Sequence, residues 1–376
     1  MMRCLLLFAA LFAVHTGFAQ KVKFDDWKNL TTSGQLPKEC LLQHSNNNLD
    51  LVKYHERYYL AFRTAPTHFA SRKTVLYIIS SPDLEQWTYE GEVKMGRDLR
   101  EPRFAVYHDT LNLYFFSAST NIFRFDPQQV FVMRSTGKGW TESASVQLDG
   151  FVPWRVREHN DTLYLSAYYG KHLYKKDHHS DLRLFTSTTA TNWQPLSKDP
   201  QIDVLSAEEG EFIFDKAGDL YSTVRLEGTG ALVCKADKSN PGNWQKAKRT
   251  KYKYDSALMF DHNDEVYVVS RKNNDGEMDK VKHRKNEKQG KLRNLLRYWY
   301  TTKCTALYKL DKDSLTLSEV AVFPSTGDCS YPAISKLDNN TYVLMNYSSN
   351  IKGRKKNWFT GQMGRTYIYW TKLRFE

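Results

Sequence analysis

The sequence predicts an all-β protein folded as a six-bladed β-propeller, with the ring closed by an N-terminal strand. Aromatic residues make up 14% of the 376 residues, and aromatic and β-branched side chains dominate the apolar runs, which favours sheet over helix. The chain also divides into six units of similar plan, none of which can bury both faces of its own sheet. Apolar residues follow the periodicity of a helix only over short stretches, and residues 277–300 are the one candidate for a longer helix.

Each unit contains a strand, a polar turn, a second strand, a linker and a third strand, and most also contain a tryptophan. The first three units are Leu49–Val93, Glu101–Val146 and Phe151–Leu196, and the others begin at Ser206, Tyr254 and Tyr331. The sixth unit shows only three strands. The segment Val22–Leu30 is therefore the candidate for its fourth strand, and this pairing would remove the exposed edges of an open ring.

The N-terminal residues have the composition of a cleaved secretory signal. A basic residue precedes the apolar run Leu5–Val14, and small residues follow up to Ala19, as a signal peptidase requires. The apolar run is too short to cross a bilayer, and no later segment is long enough. We therefore expect a signal peptide over residues 1–19, a single propeller domain over 20–376, and a secreted or periplasmic protein.

Four cysteines follow the expected cleavage site, namely Cys40, Cys234, Cys304 and Cys329. In an oxidising compartment they could form two disulfides with three possible connectivities, or they could be small buried hydrophobic residues. Their spacing excludes a CxxC metal site. No metal or other cofactor is expected.

A basic insertion interrupts the fifth unit at about 272–303. It contributes to a formal net charge of +12. A segment of this kind is usually a solvated surface. Nucleic acid is not an expected partner of an exported protein, so the functional alternative is contact with an acidic glycan or an anionic surface.

The stretch Ser206–Arg225 is predicted to form a β-hairpin, because an apolar run and an alternating run flank a turn of Asp, Lys and Gly. The two outer ends of a hairpin lie side by side. The carboxylates of Glu208, Glu209 and Glu211 are therefore expected beside Arg225. That arrangement is either a structural ion pair or half of an active site.

The same geometry in every unit brings the start of the first strand and the end of the second strand to one central depression. The polar and aromatic residues expected there include Arg63 and His68, then Arg100, Glu101 and Arg103, then Trp154, and finally Glu209, Arg225, Arg271 and Tyr331. Arginines, carboxylates and aromatic rings that converge on one pocket fit an anionic, ring-shaped ligand.

Three motifs resemble those of the sialidases and of the wider group of sialidase-like propeller proteins. The stretch Ser81-Pro-Asp-Leu-Glu-Gln-Trp87 resembles a degenerate Asp-box, the BNR-repeat turn that recurs on sialidase blades. In the fourth unit, Glu209 lies nine residues before Gly218 and Arg225 lies seven after it, which is similar to the family's fourth blade. In the sixth unit, Tyr331 lies nine residues before Asn340, as in the family's sixth blade.

The resemblance implies a retaining exo-glycosidase with Tyr331 as nucleophile and Glu209 as its base. Sialidases use tyrosine, and a charged carboxylate nucleophile would be repelled by the carboxylate of a sialic acid. A phenol is a poor nucleophile until a neighbouring base takes its proton. The resemblance also implies arginines, Arg225 among them, that bind the substrate carboxylate through bidentate hydrogen bonds. The expected substrate is a glycan of anionic character.

The sequence departs from the family pattern in the first blade. The stretch Asn46-Asn-Asn-Leu-Asp50 stands where the family has an arginine, and no aspartate lies between Asp50 and Asp83 to act as the acid. His68 is the candidate proton donor. The candidate replacements for the arginine are Arg63, Arg100 and Arg103, and those for a further family arginine are Arg271, Arg297 and Lys303.

Two other functions stay open. The first is a glycan-binding propeller without catalysis, which the departures in the first blade favour. The second is an inverting glycosidase of the furanosidase type, in which Asp50, Glu101 and Glu209 would form the carboxylate set. Six units and the position of Tyr331 argue against the furanosidase.

Overall fold

The computed structural model describes residues 21–122, 124–171, 179–244, 246–278 and 287–376. In these ranges the chain forms 26 β-strands and two helices, and the strands pair into six sheets. The predicted all-β fold is confirmed. The predicted signal peptide, over residues 1–19, and the part of the basic insertion at 279–286 lie outside the described residues.

The sheets follow one another along the chain as six blades, after two short strands, β1 (Val22–Phe24) and β2 (Lys28–Asn29). Blade 1 contains β3 (Ser45–Tyr54), β4 (Arg57–Ala65), β5 (Val75–Ser81) and β6 (Thr88–Val93). Blade 2 contains β7 (Asp98–Tyr107), β8 (Thr110–Ala118), β9 (Pro127–Arg134) and β10 (Ala144–Ser145). Blade 3 contains β11 (Phe151–His159), β12 (Thr162–Tyr169), β13 (His179–Ser187), β14 (Gln194–Pro195) and β15 (Ile202–Leu205).

Blade 4 contains β16 (Ala207–Phe214), β17 (Leu220–Leu226), β18 (Ala231–Ala236) and β19 (Lys246–Arg249). Blade 5 contains β20 (Asp255–His262), β21 (Glu265–Asn273), β22 (Lys303–Asp311) and β23 (Thr316–Phe323), with helix α1 (Glu287–Tyr300) before β22. Blade 6 contains β24 (Thr326–Lys336), β25 (Thr341–Asn350) and β26 (Tyr367–Phe375), with helix α2 (Trp358–Met363) before β26. Helix α1 lies within the candidate helical stretch.

The N-terminal strand completes blade 6. Val22 pairs with Phe375 and Phe24 with Leu373, and β2 pairs with the same strand. The first strands of the blades contact one another in cyclic order, from β3 round to β24 and back to β3. The predicted closure is therefore confirmed, and the fold is a six-bladed β-propeller.

The hydrophobic core lies between neighbouring blades. Between blades 1 and 6, for example, Leu49 and Phe62 pack with Met345 and Trp370, and all four side chains are buried. Strand β5 is buried along its whole length, which accounts for its continuous apolar sequence. Burial on both faces therefore explains why the middle strands do not alternate between apolar and polar residues.

Every blade has a β-bulge in its first strand, where one extra residue shifts the register against the second strand. The residues at these six positions, called the bulge residues below, are Asn48, Glu101, Trp154, Glu209, Ser256 and Tyr331. In all of them except Trp154 the φ angle is positive, between 45° and 53°. A bulge changes the direction in which a side chain points, and a left-handed conformation costs a non-glycine residue about 1–3 kcal/mol. Such strain is typical of functional sites.

The turn from Ser81 to Trp87 is closed by its own side chains. Ser81 Oγ accepts a hydrogen bond of 2.8 Å from the backbone N–H of Leu84, and Asp83 Oδ1 accepts one of 2.8 Å from the N–H of Gln86. These bonds explain why serine and aspartate stand at these positions. The identification of the turn as an Asp-box stays a prediction.

The four cysteines of the described chain are buried and form no disulfide with one another, which agrees with the second of the two alternatives drawn from the sequence. Neither α1 nor α2 is long and apolar enough to cross a membrane, and no other helix occurs in the described ranges.

Candidate functional site

A cavity of about 480 Å³ opens where the first strands of the blades meet. Most of the charged residues that line it are buried. We call this set, together with the partly exposed Arg100 and Tyr331, the polar floor: His68, Asp98, Arg100, Glu101, Glu208, Glu209, Arg225, Glu227, Arg271 and Tyr331. Most of these residues are among those expected at the central depression. The bulges account for the position of three of them, because Glu101, Glu209 and Tyr331 are all bulge residues.

Tyr331 lies among aromatic rings and charged groups. Its ring centroid is 5.5 Å from that of Trp154, and the guanidinium carbon of Arg271 lies 5.9 Å from it. No hydrogen bond between described residues involves the Tyr331 hydroxyl. Burial, together with the charges of Glu101 and Glu209, raises the pKa of the phenol well above its usual value of 10. The phenol is therefore neutral and needs a base to become a nucleophile.

Glu209 is held by two neighbours. Its Oε1 contacts Nη1 of Arg225, and its Oε2 accepts a hydrogen bond of 2.6 Å from the backbone N–H of Ser256. Both oxygens therefore have a partner, and no hydrogen bond between described residues joins Glu209 to Tyr331. The two residues share the cavity, and the charge of Glu209 acts on the Tyr331 phenol.

Arg225 lies among three carboxylates. Besides its contact with Glu209, its Nε donates to Glu227 Oε2 at 2.8 Å, and its Nη2 lies 3.6 Å from Glu208 Oε2. Burial raises the pKa of Glu208 to about 8. Burial also acts to raise the pKa of Glu227, but Arg225 and Lys253 lower it to about 2. At neutral pH the first carboxyl is therefore protonated and the second ionised.

Glu211 does not join this cluster, which corrects the expectation drawn from the hairpin. Its carboxylate accepts hydrogen bonds of 2.7 Å from Arg155 and of 2.7 Å from Arg157. The reason is the bulge at Glu209 and Gly210, since the extra residue separates Glu211 from the end of the strand that faces the cavity. Its role is structural.

Arg100 and Arg271 also lie in the polar floor. Arg100 Nε contacts Asp98 Oδ2 at 2.5 Å, and Arg271 Nη1 donates to Asp255 Oδ2 at 2.9 Å. Arg271 Nη2 is buried and has no hydrogen-bond partner within the described part of the chain. Three predicted substrate-binding arginines, Arg100, Arg225 and Arg271, thus line the cavity. Each already has a carboxylate partner, so the floor carries little uncompensated positive charge.

The other two predicted arginines do not line the cavity. Arg63 is buried, with its Nη2 2.7 Å from Asp98 Oδ1. Arg103 donates to Glu101 Oε2 at 2.9 Å, and its guanidinium carbon lies 5.2 Å from the ring centroid of Trp154. Trp154 itself is buried behind Tyr331. The geometry favours a structural ion pair for Arg63 and for Arg103. It does not support direct contact of Arg63, Arg103 or Trp154 with a ligand.

Arg63, Arg225 and Arg271 nevertheless occupy equivalent positions. Each lies on the second strand of its blade and pairs with the residue just before the bulge residue, at Asn47, Glu208 and Asp255 respectively. This equivalence explains why the sequence pattern selects all three. Arg63 differs in that it donates to Asp98 and to the carbonyls of Thr67 and Phe69, and it does not line the cavity.

Glu101 is the carboxyl group of the floor that is best suited to donate a proton. Its Oε1 accepts a hydrogen bond of 2.5 Å from Asn48 Nδ2, and Arg103 binds the other oxygen. Burial raises the pKa of Glu101 to about 7, although the charge of Arg103 opposes the shift. A carboxyl group with that pKa is protonated in a substantial fraction of molecules near neutral pH.

His68 lies in the polar floor as predicted, but its environment is unfavourable for a proton donor. Its Nδ1 is 2.8 Å from Asp328 Oδ2. Burial lowers the pKa of the imidazole below its usual 6.5, although the Asp328 carboxylate opposes the shift. A neutral imidazole donates its single N–H to Asp328 in this arrangement. The geometry therefore favours Glu101 over His68 as the acid.

The remaining alternatives are also placed by the structure. Asp50 accepts bonds from the N–H of Phe104 at 2.7 Å and from Arg155 at 3.1 Å, and it does not line the cavity, so the furanosidase carboxylate set is not assembled there. Arg297 contacts Asp275 at 2.5 Å, and Lys303 is buried. Of the three candidates for the further family arginine, only Arg271 lines the cavity.

No group of three or more His, Cys, Asp or Glu side chains in the described ranges is arranged to hold a metal ion. The charged cluster around Arg225 is instead a network of ion pairs.

Sequence reasoning missed the apolar part of the cavity wall. This part includes Leu292, Leu296 and Trp299 of α1, which are spaced four and three residues apart. Such spacing predicts one face of a helix. The sequence predicts a helix in this stretch and a basic surface, but the apolar face of the helix is not among the predicted site residues.

Comparison with known proteins shows the fold. No protein-family model matches the chain, and no curated protein matches it. A crystal structure of a Dyadobacter fermentans protein of unknown function is 14% identical, with a TM-score of 0.64 over 94% of this chain and 99% of that one. Trypanosoma rangeli sialidase is 11% identical, with a TM-score of 0.62 over 88% of this chain.

The match spans 55% of the Trypanosoma rangeli chain. The same enzyme in a complex described as a covalent intermediate with 2,3-difluorosialic acid is 10% identical, with a TM-score of 0.62 over 88% of this chain and 54% of that one. The protein is therefore a six-bladed β-propeller of the type seen in sialidases. At this level of identity the likeness shows the fold alone.

Proposed function

We propose that the protein is a glycoside hydrolase of sialidase-like type, in which Tyr331 is the nucleophile, Glu209 its base and Glu101 the proton donor. The observation that carries the proposal is the position of Tyr331. Its hydroxyl has no partner in the described structure and lies in a cavity that also holds a fixed carboxylate, a carboxyl group with a pKa of about 7, and three arginines. The sialidase-type fold is consistent with the assignment.

The proposed reaction has two steps. In the first, the Tyr331 oxygen forms a bond to the anomeric carbon, its proton passes to Glu209, and the bond to the leaving oxygen breaks as that oxygen takes the proton of Glu101. In the second, water attacks the anomeric carbon and gives a proton to Glu101. The Tyr331 oxygen leaves and recovers its proton from Glu209. The anomeric configuration is retained.

The substrate in this proposal is a glycan with an acidic sugar at its end. Arg100, Arg225 and Arg271 are the residues that would bind its carboxylate. A ligand carboxylate would compete with the carboxylates already bound to these arginines. The proposal also includes export of the chain, which depends on the predicted signal peptide, and contact of the basic insertion with anionic surfaces.

The test is turnover by the Tyr331→Phe variant on a panel of chromogenic sialosides and other glycosides. We expect kcat to fall by about 10³-fold or more, because the phenylalanine ring has no oxygen to attack. Tyr347→Phe is the matched control. Its ring lies 6.1 Å from that of Tyr331, but its hydroxyl donates to Asp328 and it does not line the cavity. Unchanged turnover in Tyr331→Phe would remove this residue from the mechanism.

A second candidate is a glycan-binding protein without catalysis. The observation that favours it is that both oxygens of Glu209 already have partners and neither accepts a hydrogen bond from Tyr331. Saturable binding on an array of acidic glycans, with no product detected by mass spectrometry, would support this candidate over the hydrolase.

A further inference from the structure

Helix α1 packs against the propeller through polar residues. The Tyr298 hydroxyl lies 2.8 Å and 2.9 Å from the two oxygens of Asp255. Asn294 is buried and donates to the carbonyl of Gly228 at 3.4 Å. A surface helix normally buries its apolar residues and exposes its polar ones. In α1 leucine and tryptophan side chains are exposed instead, although the Tyr298 ring also packs with Met278 and Trp358 on the buried side.

The opposite face of α1 carries an apolar stripe. Leu292, Leu296 and Trp299 follow one another at spacings that place them on one side of a helix, and their exposed fractions are 58%, 44% and 40%. All three line the cavity, together with Leu295. Leucine and tryptophan side chains in water are unfavourable. Binding of an apolar group over the stripe would therefore be favourable.

A second apolar wall lines the same cavity. It lies in and beside the connection between β8 and β9 and includes Ile122, which is 58% exposed, and Phe125. We call the two walls together the apolar rim: Ile122, Phe125, Leu292, Leu295, Leu296 and Trp299. Four of the six rim residues are exposed and the other two are partly exposed, whereas eight of the ten floor residues are buried. The charged groups of the cavity therefore lie deeper than the apolar side chains of the rim.

We propose that the cavity binds glycosides that carry an apolar aglycone, meaning an alkyl chain or an aromatic ring joined to the sugar. The inference rests on the proposed function, since it names the substrate class of that site. A sugar bound on the polar floor, with its anomeric carbon at Tyr331, directs the group on its leaving oxygen away from the floor. In this cavity the way out passes the apolar rim. Contact with the rim removes apolar surface from water on both partners.

The experiment compares pairs of glycosides that share a sugar and differ only in the aglycone. Methyl and octyl glycosides of N-acetylneuraminic acid, galactose and glucose are titrated calorimetrically into the full chain, below the micelle concentration of each octyl compound. For at least one sugar we expect the octyl glycoside to bind at least about tenfold more tightly than its methyl partner. The Leu292→Gln/Leu296→Gln variant should bring the ratio close to one, because it removes the apolar surface that the octyl chain contacts.

Glutamine is chosen because it keeps the helix propensity of α1 close to that of leucine. Leu41→Gln is the matched control, since Leu41 is 72% exposed and does not line the cavity. It should keep the full octyl preference. If the double variant fails to fold, Ile122→Gln tests the rim from the opposite wall and should also lower the ratio.

The outcomes separate this inference from the proposed function. An octyl preference without turnover supports the rim and contradicts the hydrolase. Turnover with equal affinity for methyl and octyl glycosides, or a preference that survives the double variant, overturns the inference alone. Failure of every octyl glycoside to bind also overturns it. The inference is also overturned if the wild type binds lipid vesicles and shows no preference for octyl glycosides. That result would indicate that the rim contacts a membrane.

Discussion

The backbone N–H of Ser256 donates a hydrogen bond of 2.6 Å to the carboxylate of Glu209, and these two residues are the bulge residues of adjacent blades. The side-chain amide of Asn48 donates to the carboxyl group of Glu101, which also joins the bulge residues of two adjacent blades. The bulge residues therefore form hydrogen bonds between adjacent blades. A residue of the polar floor is held by the blade beside it, so the geometry of the cavity depends on the closed ring.

Replacing Glu209 with glutamine should lower kcat by at least about 100-fold, because an amide cannot take the proton of Tyr331. The amide oxygen still accepts the N–H of Ser256, and Arg225 still pairs with Glu227, so we expect the fold to be kept. Steady-state kinetics and thermal unfolding check both statements. Glu208→Gln is the control, since burial raises the pKa of Glu208 to about 8 and its carboxyl is already protonated at neutral pH. Equal losses in the two variants would contradict the role of Glu209.

Activity should fall as the pH rises through about 7, because Glu101 has a pKa of about 7 and must be protonated to donate. The measurement is kcat/KM from pH 5 to pH 9. In Glu101→Gln the rate should be low and the loss near pH 7 should disappear. A wild-type profile that stays flat up to pH 9 would argue against Glu101 as the acid.

The same group should make the folded protein less stable as the pH rises. Glu101 has a pKa of about 7 in the folded state, against its ordinary value of 4.5. Between these two values the folded state holds more protons than the unfolded state, so the free energy of unfolding decreases with increasing pH over this window. Denaturant unfolding at pH 4.5 and pH 7 should show a smaller decrease for Glu101→Gln than for the wild type. An unchanged difference would contradict this linkage.

Glu211→Gln should destabilise the protein by about 3–5 kcal/mol, since Arg157 loses its carboxylate partner and Arg155 keeps only Asp50. Denaturant unfolding measures the change. Glu319→Gln is the control, because the Lys272–Glu319 pair is partly exposed and such a pair contributes about 0–1 kcal/mol. A loss of less than about 1 kcal/mol in Glu211→Gln would show that the two arginines find other partners.

Gly361→Ala should displace α2 from blade 6. A Cβ atom at this position would lie 2.1 Å from the backbone nitrogen of Asp328, and backbone cannot move aside as a side chain can. We expect a loss of at least about 2 kcal/mol in the free energy of unfolding. Gly364→Ala is the matched control in the same segment, since its nearest neighbour would lie at 3.4 Å. Similar losses for both variants would contradict the close approach of α2 to Asp328.

The sequence pattern predicts the propeller because blade structure is local. Each hairpin is specified by its own alternation and turn residues, as at Asp338-Asn-Asn, where the Asp338 side chain accepts the N–H of Asn340 at 2.9 Å. The closing strand is predicted by counting the strands of each unit, because the sixth unit lacks one strand. Nothing beyond local pattern and counting was needed for the fold.

The site was harder to predict because a bulge breaks the alternation on which such predictions depend. Glu208, Glu209 and Glu211 stand within four positions of sequence, yet they have three different sets of partners. The burial of Arg63 depends on Asp98 of the following blade, and a single sequence does not show contacts between blades. Long-range packing therefore decides which arginines reach the cavity.

The pairing of β1 with β26 has a consequence for the order in which the molecule can assemble. During synthesis Val22 is made before all six blades, and its partner Phe375 is made after every other strand of the ring. The first strand must wait, without its partner, while five blades are already able to form. The ring can close only after β26 has formed, and a chain that lacks β26 would leave β1 without a partner.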